Sequence, residues 1–149
     1  MKNAVKAAEA RKDRFPKIYA RALLERARYM NSIDAVDPRS REYMDTAISI
    51  LEGLSNDGKH DPLLPLAYYY RSASSGQRDR LDVADLDRAY ALLMEDLLAG
   101  DLPDSVMYGV CETYVQYLDV FDRERSATVR GELLQQGFVF PPPPEIKVD

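Results

Sequence analysis

The chain has one cysteine, one histidine and no tryptophan, and the first two scarcities each close off a class of chemistry. Cys111 alone can form no internal disulfide. Its neighbours Val110, Tyr114 and Val115 predict a buried thiol, which suits a reducing compartment. His60 alone excludes every two-histidine metal site, the metalloprotease and phosphohydrolase patterns among them. A Cys111–His60 nucleophilic pair would need an exposed, electropositive thiolate, and a core cysteine does not supply one. The seven glycines are scattered and none precedes a Lys-Ser or Lys-Thr pair, so no phosphate-cradling loop is encoded. No run approaches the ~20 apolar residues of a membrane span, and no apolar signal core follows Met1. The expectation is a soluble, cytoplasmic protein. A basic N-terminus leaves an organelle matrix open, although Glu9 and Asp13 are unusual in a targeting segment.

What is present is charge and helical periodicity. The net charge of −5 hides an asymmetry: residues 1–30 carry +6, and residues 79–104 carry −6. Such a dipolar chain is biased in its choice of partner more than in its fold. With 46% hydrophobic residues in 149, the chain can bury one sizeable core, about 70% of its unfolded surface.

Phe15, Ile18, Tyr19, Ala22, Leu23, Ala27 and Met30 recur at three-and-four spacing and predict a helix over 15–31 whose apolar face holds all seven. Ala4, Val5, Ala7, Ala8 and Ala10 predict a helix over 2–13, broken near Pro16. Asp37-Pro38 reads as cap and first turn of a helix over 38–54. Ser55-Asn56-Asp57-Gly58 is a loop signal, and Asp61-Pro62 repeats the cap-and-proline start before a helix ending near Ser72. A helix over 83–99, with Val83, Leu86, Tyr90, Leu93, Leu97 and Leu98 inward, stops at Gly100. After Asp101-Leu102-Pro103, residues Val106, Met107, Val110, Cys111, Tyr114, Val115, Leu118 and Phe121 form the strongest apolar stripe. A last helix over 124–136 ends at Gly137. No strand alternation is evident. The fold class is therefore all-α: a single-domain helical bundle, or a short α-hairpin array, of five to six helices over 1–137. An extended proline-rich arm follows over 138–149, where Pro141–Pro144 impose polyproline II geometry.

Arg41/Arg88, Tyr43/Tyr90, Leu51/Leu98 and Gly53/Gly100 are identical pairs 47 apart, close to the period of helical-hairpin repeats, but four identities also arise by chance in amphipathic helices. His60 lies beside Asp61, whose capping role already accounts for it. Glu42 and Asp45 lie three apart on one helix and Glu95 and Asp96 sit on another, a weak signal for a Mg²⁺ site assembled between helices. The pairs Asp34/Asp37, Asp82/Asp85 and Asp101/Asp104 fall at helix starts, where caps and the helix dipole explain them. No cofactor is implied. Direct nucleic-acid binding is disfavoured by a pI near 5.0 and by aromatics on the predicted apolar stripe.

Three contact elements stand out. The basic N-terminal segment, with Arg11 and Arg14, suits an acidic protein surface or a like subunit. Tyr68, Tyr69 and Tyr70 point about 100° apart on a helix, so they cannot share one core. Phe138, Phe140 and Pro142 mark an arm that either returns to its own helices or docks on a partner. Three functions fit: a non-enzymatic interaction module, subunit or assembly factor; a small acidic inhibitor of the immunity or anti-defence type, acting on a nucleic-acid-handling protein; or a carboxylate–Mg²⁺ all-α nucleotide pyrophosphatase.

Overall fold

Proline, aspartate and glycine punctuate the chain, and amphipathic helices fill the intervals. The computed structural model describes residues 2–33, 37–74, 82–101 and 105–141. Within them lie seven helices: α1 (Lys2–Glu9), α2 (Pro16–Ile33), α3 (Pro38–Gly53), α4 (Leu64–Ala73), α5 (Val83–Leu98), α6 (Ser105–Phe121) and α7 (Arg123–Gln135). No strand occurs among the described residues, only an isolated bridge between Asn56 and Lys59. None of these helices is long and apolar enough to cross a membrane.

The helix ends follow local chemistry. Asp37 caps α3, its carboxylate accepting from Arg39 N at 3.0 Å, and the Arg39 side chain returns to the same group at 2.8 Å. Those hydrogen bonds hold the Asp37 carboxyl below its ordinary range. Asp82 caps α5 through Ala84 N at 3.1 Å, and Asp122 caps α7 through Arg125 N at 3.0 Å. Gly100 and Gly137, at φ +88° and +90°, close α5 and α7 in the same way. Asp101 N reaches Asp96 O and Gly100 N reaches Leu97 O, while Phe138 N reaches Leu133 O and Gly137 N reaches Leu134 O. This is the Schellman pairing, which places a left-handed residue where glycine bears no Cβ penalty.

Two boundaries differ from the sequence expectation. The first helix stops at Glu9, and residues 10–14 continue as tight turns, with Arg11 N bonded to Ala8 O and Arg14 N to Arg11 O. Alanine propensity does not carry through the crowded cations Arg11, Lys12 and Arg14 to Pro16. Asp61-Pro62 starts a turn, not the helix itself: the Asp61 carboxylate accepts from Leu63 N at 2.9 Å, and α4 begins at Leu64 without a side-chain cap. Between α3 and α4, Asp57 and Gly58 both have positive φ, and Asn56 and Lys59 exchange two 2.9 Å hydrogen bonds. That is the geometry of a two-residue type I′ turn, for which Asp-Gly is a preferred pair.

The chain forms two compact units, Met1–Met94 and Glu95–Asp149. In the first, Ala20, Leu23, Leu24, Ala27 and Met30 of α2 are buried together with Met44, Ala47, Ile48 and Leu51 of α3, and these two helices pack closely. Ser40 ties their ends, donating to Asn31 Oδ1 at 2.7 Å. In the second, α7 packs on α6, and Val110, Cys111, Tyr114, Val115, Leu118, Val129 and Leu133 are buried. Burial by apolar neighbours pushes the Cys111 thiol up to about 12.

The 47-residue correspondence does not extend to environment. Leu51 is fully buried whereas Leu98 is 71% exposed, and Gly100 has positive φ where Gly53 does not. Val83, Leu98, Val106 and Phe121, expected inward, are all exposed.

Candidate functional site

Helix α2 carries two apolar faces. The buried one consists of Ala20, Leu23, Leu24, Ala27 and Met30. The other faces solvent: Phe15 is 41% exposed, Ile18 59%, Tyr29 45% and Ile33 70%. At about 100° per residue Ile18, Tyr29 and Ile33 fall within roughly a 60° arc on the far side of α2 from its core, and Phe15 precedes the first residue of the helix. Phe15 and Ile18, expected in the core stripe, therefore belong to a second face. A three-and-four pattern read over a helix that is apolar on two sides merges both into one.

Cations border this ridge. Arg21 and Arg28, seven residues apart on α2, share a flank and are exposed, and Arg14 is exposed in the turn before the helix. Arg21 pairs with exposed Glu25 at 3.5 Å, a contact of ~0.3–0.5 kcal/mol at most. Arg14 lies over the Phe15 ring at 5.4 Å, Arg26 over Tyr29 at 5.5 Å and Arg28 over Tyr70 at 5.5 Å. Arg11 is exposed in the turn before α2, close in sequence to the ridge. Beside it, Lys6, Glu9, Tyr19, Arg26 and Tyr43 line a cleft of about 290 Å³ among α1, α2 and α3. Burial, followed by the charge of Glu9, raises the Tyr19 hydroxyl above its usual value, so it stays a proton donor.

The tyrosine run divides as helical geometry requires. Tyr68 is buried, so it is not a surface contact; its hydroxyl donates to Glu52 Oε1, and burial followed by that carboxylate raises its pKa. Tyr69 and Tyr70 are half-buried, their rings 6.1 Å apart. Next to them Arg71 holds the first unit together. Its guanidinium donates from Nε and Nη2 to both oxygens of buried Asp85 at 2.9 and 2.8 Å and from Nη1 to Asp45 at 3.1 Å, and it stacks over the Tyr68 ring. Asp45, one of the four carboxylates spaced for Mg²⁺, thus serves an ion pair. Glu42 and Glu95 are exposed and Asp96 is half-buried. Among the described residues no three His, Cys, Asp or Glu side chains are grouped to hold a metal ion.

In the second unit the start of the arm returns to its own helices. Phe138 and Phe140 are half-buried, with ring centroids 5.9 and 5.1 Å from that of Tyr108. Arg130 fixes the backbone: Nη1 donates to the carbonyls of Phe140 and Pro141, and Nη2 donates to buried Asp119 at 2.6 Å. Ser126 donates to the same carboxylate. A groove of about 360 Å³ opens alongside, lined by Val115, Val120, Arg130, Phe140 and Pro141. Pro142 and the rest of the proline run lie outside the described residues. No part of this clamp was visible in the residue spacing, because Asp119, Ser126 and Arg130 meet only when α7 lies against α6.

Compared with protein-family models, curated proteins and solved structures, the chain matches none.

Proposed function

We propose that this protein is a non-enzymatic helical interaction module, a subunit or assembly factor that binds another protein through the solvent face of α2. The observation that carries this reading is the exposure of Ile18, Tyr29 and Ile33 along one face of α2, with exposed Phe15 just before the helix, while the other face is already buried. Contiguous exposed apolar surface rimmed by charge marks an interaction site more often than an unused one. Phe15 and Tyr29 supply rigid area and Arg14, Arg21 and Arg28 a polar rim, the residue types that anchor protein contacts. Arg11 and Tyr70 extend the surface. Phe138 and Phe140, engaged with Tyr108, serve as intramolecular anchors in this reading and not as free contacts. A cytoplasmic location is part of the same proposal, with one unpaired thiol and so no internal disulfide.

Affinity purification from the native cell, comparing the natural chain with Ile18→Glu, tests the proposal. A charged side chain in the middle of the ridge should remove a specific partner while leaving helicity unchanged. Full recovery of every partner by the variant would rule this surface out. The exposed acids Asp87 and Glu95 of α5 favour a second reading, an acidic inhibitor of a basic target. Its complex should dissociate steeply with salt, and salt-insensitive binding argues against it.

A further inference from the structure

We infer that the cleft among α1, α2 and α3 is a binding site for a small phosphate monoester. The inference does not rest on the solvent face of α2, because the cleft lies on the flank of that helix between its exposed and buried sides.

Each of the three helices brings two polar side chains to the cleft at a spacing that puts both on one face: Lys6 and Glu9 from α1, Tyr19 and Arg26 from α2, Arg39 and Tyr43 from α3. Buried Leu23 and Met30 supply an apolar floor. Three cations thus share the cleft with one acid. Arg39 is partly committed, donating from Nε and Nη2 to Asp37 at 3.2 and 2.8 Å, which leaves Nη1. Lys6 and Arg26 are not, for among the described residues neither side chain makes a hydrogen bond or an ion pair. Arg26 is half-buried, and its one contact, the Tyr29 ring at 5.5 Å, takes up none of its five donors in a hydrogen bond. The Tyr19 and Tyr43 hydroxyls lie within electrostatic reach of each other, and Tyr43 within reach of Arg39, so the donors of α2 and α3 converge.

A half-buried guanidinium beside other cations carries a repulsion that a bound oxyanion relieves. The charge selects the class of anion. Two unpartnered cations match the roughly −1.5 to −2 of a phosphate monoester near pH 7, and its terminal oxygens accept from Lys6, from the Arg26 fork and from the two hydroxyls. A monocarboxylate brings half that charge. A polyanion brings too much, since exposed Glu9 repels further negative charge, and a cleft of about 290 Å³ takes a small molecule and not a polymer chain.

Calorimetric titration of the full chain with phenyl phosphate at pH 7 and low salt is the test, with circular dichroism confirming the fold of each variant. One-to-one binding is expected, weakened about tenfold by Lys6→Gln and by Arg26→Gln and strengthened about threefold by Glu9→Gln. Lys6 is exposed, so its variant keeps the test decisive even where Arg26→Gln disturbs the helix packing. Lys12→Gln, which removes an exposed cation outside the cleft, should change the affinity by less than about twofold.

No saturation up to ~10 mM phenyl phosphate overturns the inference. Equal losses on Lys12→Gln and Lys6→Gln overturn it as well, because the attraction is then to a basic surface in general. Unchanged affinity in both Lys6→Gln and Arg26→Gln places the ligand elsewhere and does the same. Benzoate bound as tightly as phenyl phosphate overturns the phosphate class.

Discussion

Replacing Arg71 by methionine should cost the first unit about 3 kcal/mol, far more than an exposed ion pair is worth. The structure divides the interaction into two parts. The side chain of Asp85 is 7% exposed and accepts both arms of the guanidinium fork, so Arg71→Met leaves a buried carboxylate with its main partner gone, a change of ~3–5 kcal/mol. Asp45 is 53% exposed, and its contact contributes at most ~1 kcal/mol. Asp85 also lies in the first turn of α5, where the helix dipole offsets ~0.5–1 kcal/mol of the penalty, so the lower end of the range applies. Methionine keeps most of the contact with the Tyr68 ring and limits the cavity. Urea unfolding followed by circular dichroism should show the midpoint falling by roughly 1.5 M at a slope of ~2 kcal/mol/M. Adding Asp85→Asn should restore at least half of the loss, because the stranded charge is then gone. A loss below ~1 kcal/mol, or a loss equal to that of Asp45→Ala, would refute the assignment of Asp85 as the dominant partner.

Three further outcomes follow from the described contacts. Cys111 should resist disulfide-exchange reagents near pH 8 in the folded chain and react at once in denaturant, since its thiolate is suppressed. Its folded value, about 12, lies above the ordinary 9.0, so its contribution to stability is complete below about pH 9 and declines as pH rises from there through 12, which alkaline unfolding curves will register. Arg130→Met leaves Asp119 without its cation and frees the carbonyls of Phe140 and Pro141, and chymotrypsin should then cut after Phe138 at least tenfold faster; an unchanged rate removes Arg130 as the clamp. Gly137→Ala meets no steric obstacle, so its cost should be only the ~1 kcal/mol of a Cβ at positive φ, measured by thermal unfolding.

The α2 ridge shows how far the candidate site was legible before folding. The basic character of residues 1–30 and the presence of Phe15, Ile18 and Tyr29 are plain in the sequence. The assignment of Phe15 and Ile18 to one core stripe was not correct, because on a helix apolar on two sides the three-and-four spacing fits either face. Ala20, Leu24 and Ala27 give the phase of the buried side, but small alanines weigh little in a pattern dominated by Phe and Ile. The tyrosine run was legible as geometry: three successive helical residues must diverge, and Tyr68 turned inward while Tyr69 and Tyr70 stayed at the surface. Tyr68 went inward because it shares the buried side of α4 with Leu64 and Ser72, four residues away on either side, whereas its hydroxyl partner Glu52, sixteen residues earlier, is encoded by no local spacing.

Local chemistry alone determined the helices and most of their ends. Asp37 before Pro38, and Gly100 and Gly137 at positive φ, act within a single turn of backbone, so their effects can be read residue by residue. Tertiary structure decided everything that joins distant residues. Arg71 collects Asp45 and Asp85 from two other helices, Arg130 holds both Asp119 and the arm, and the exposed side of α2 is exposed because α3 covers the opposite one. Hydrogen-bonded caps are short-range and periodic patterns are degenerate, whereas an ion pair between helices or an uncovered face exists only once the helices have packed.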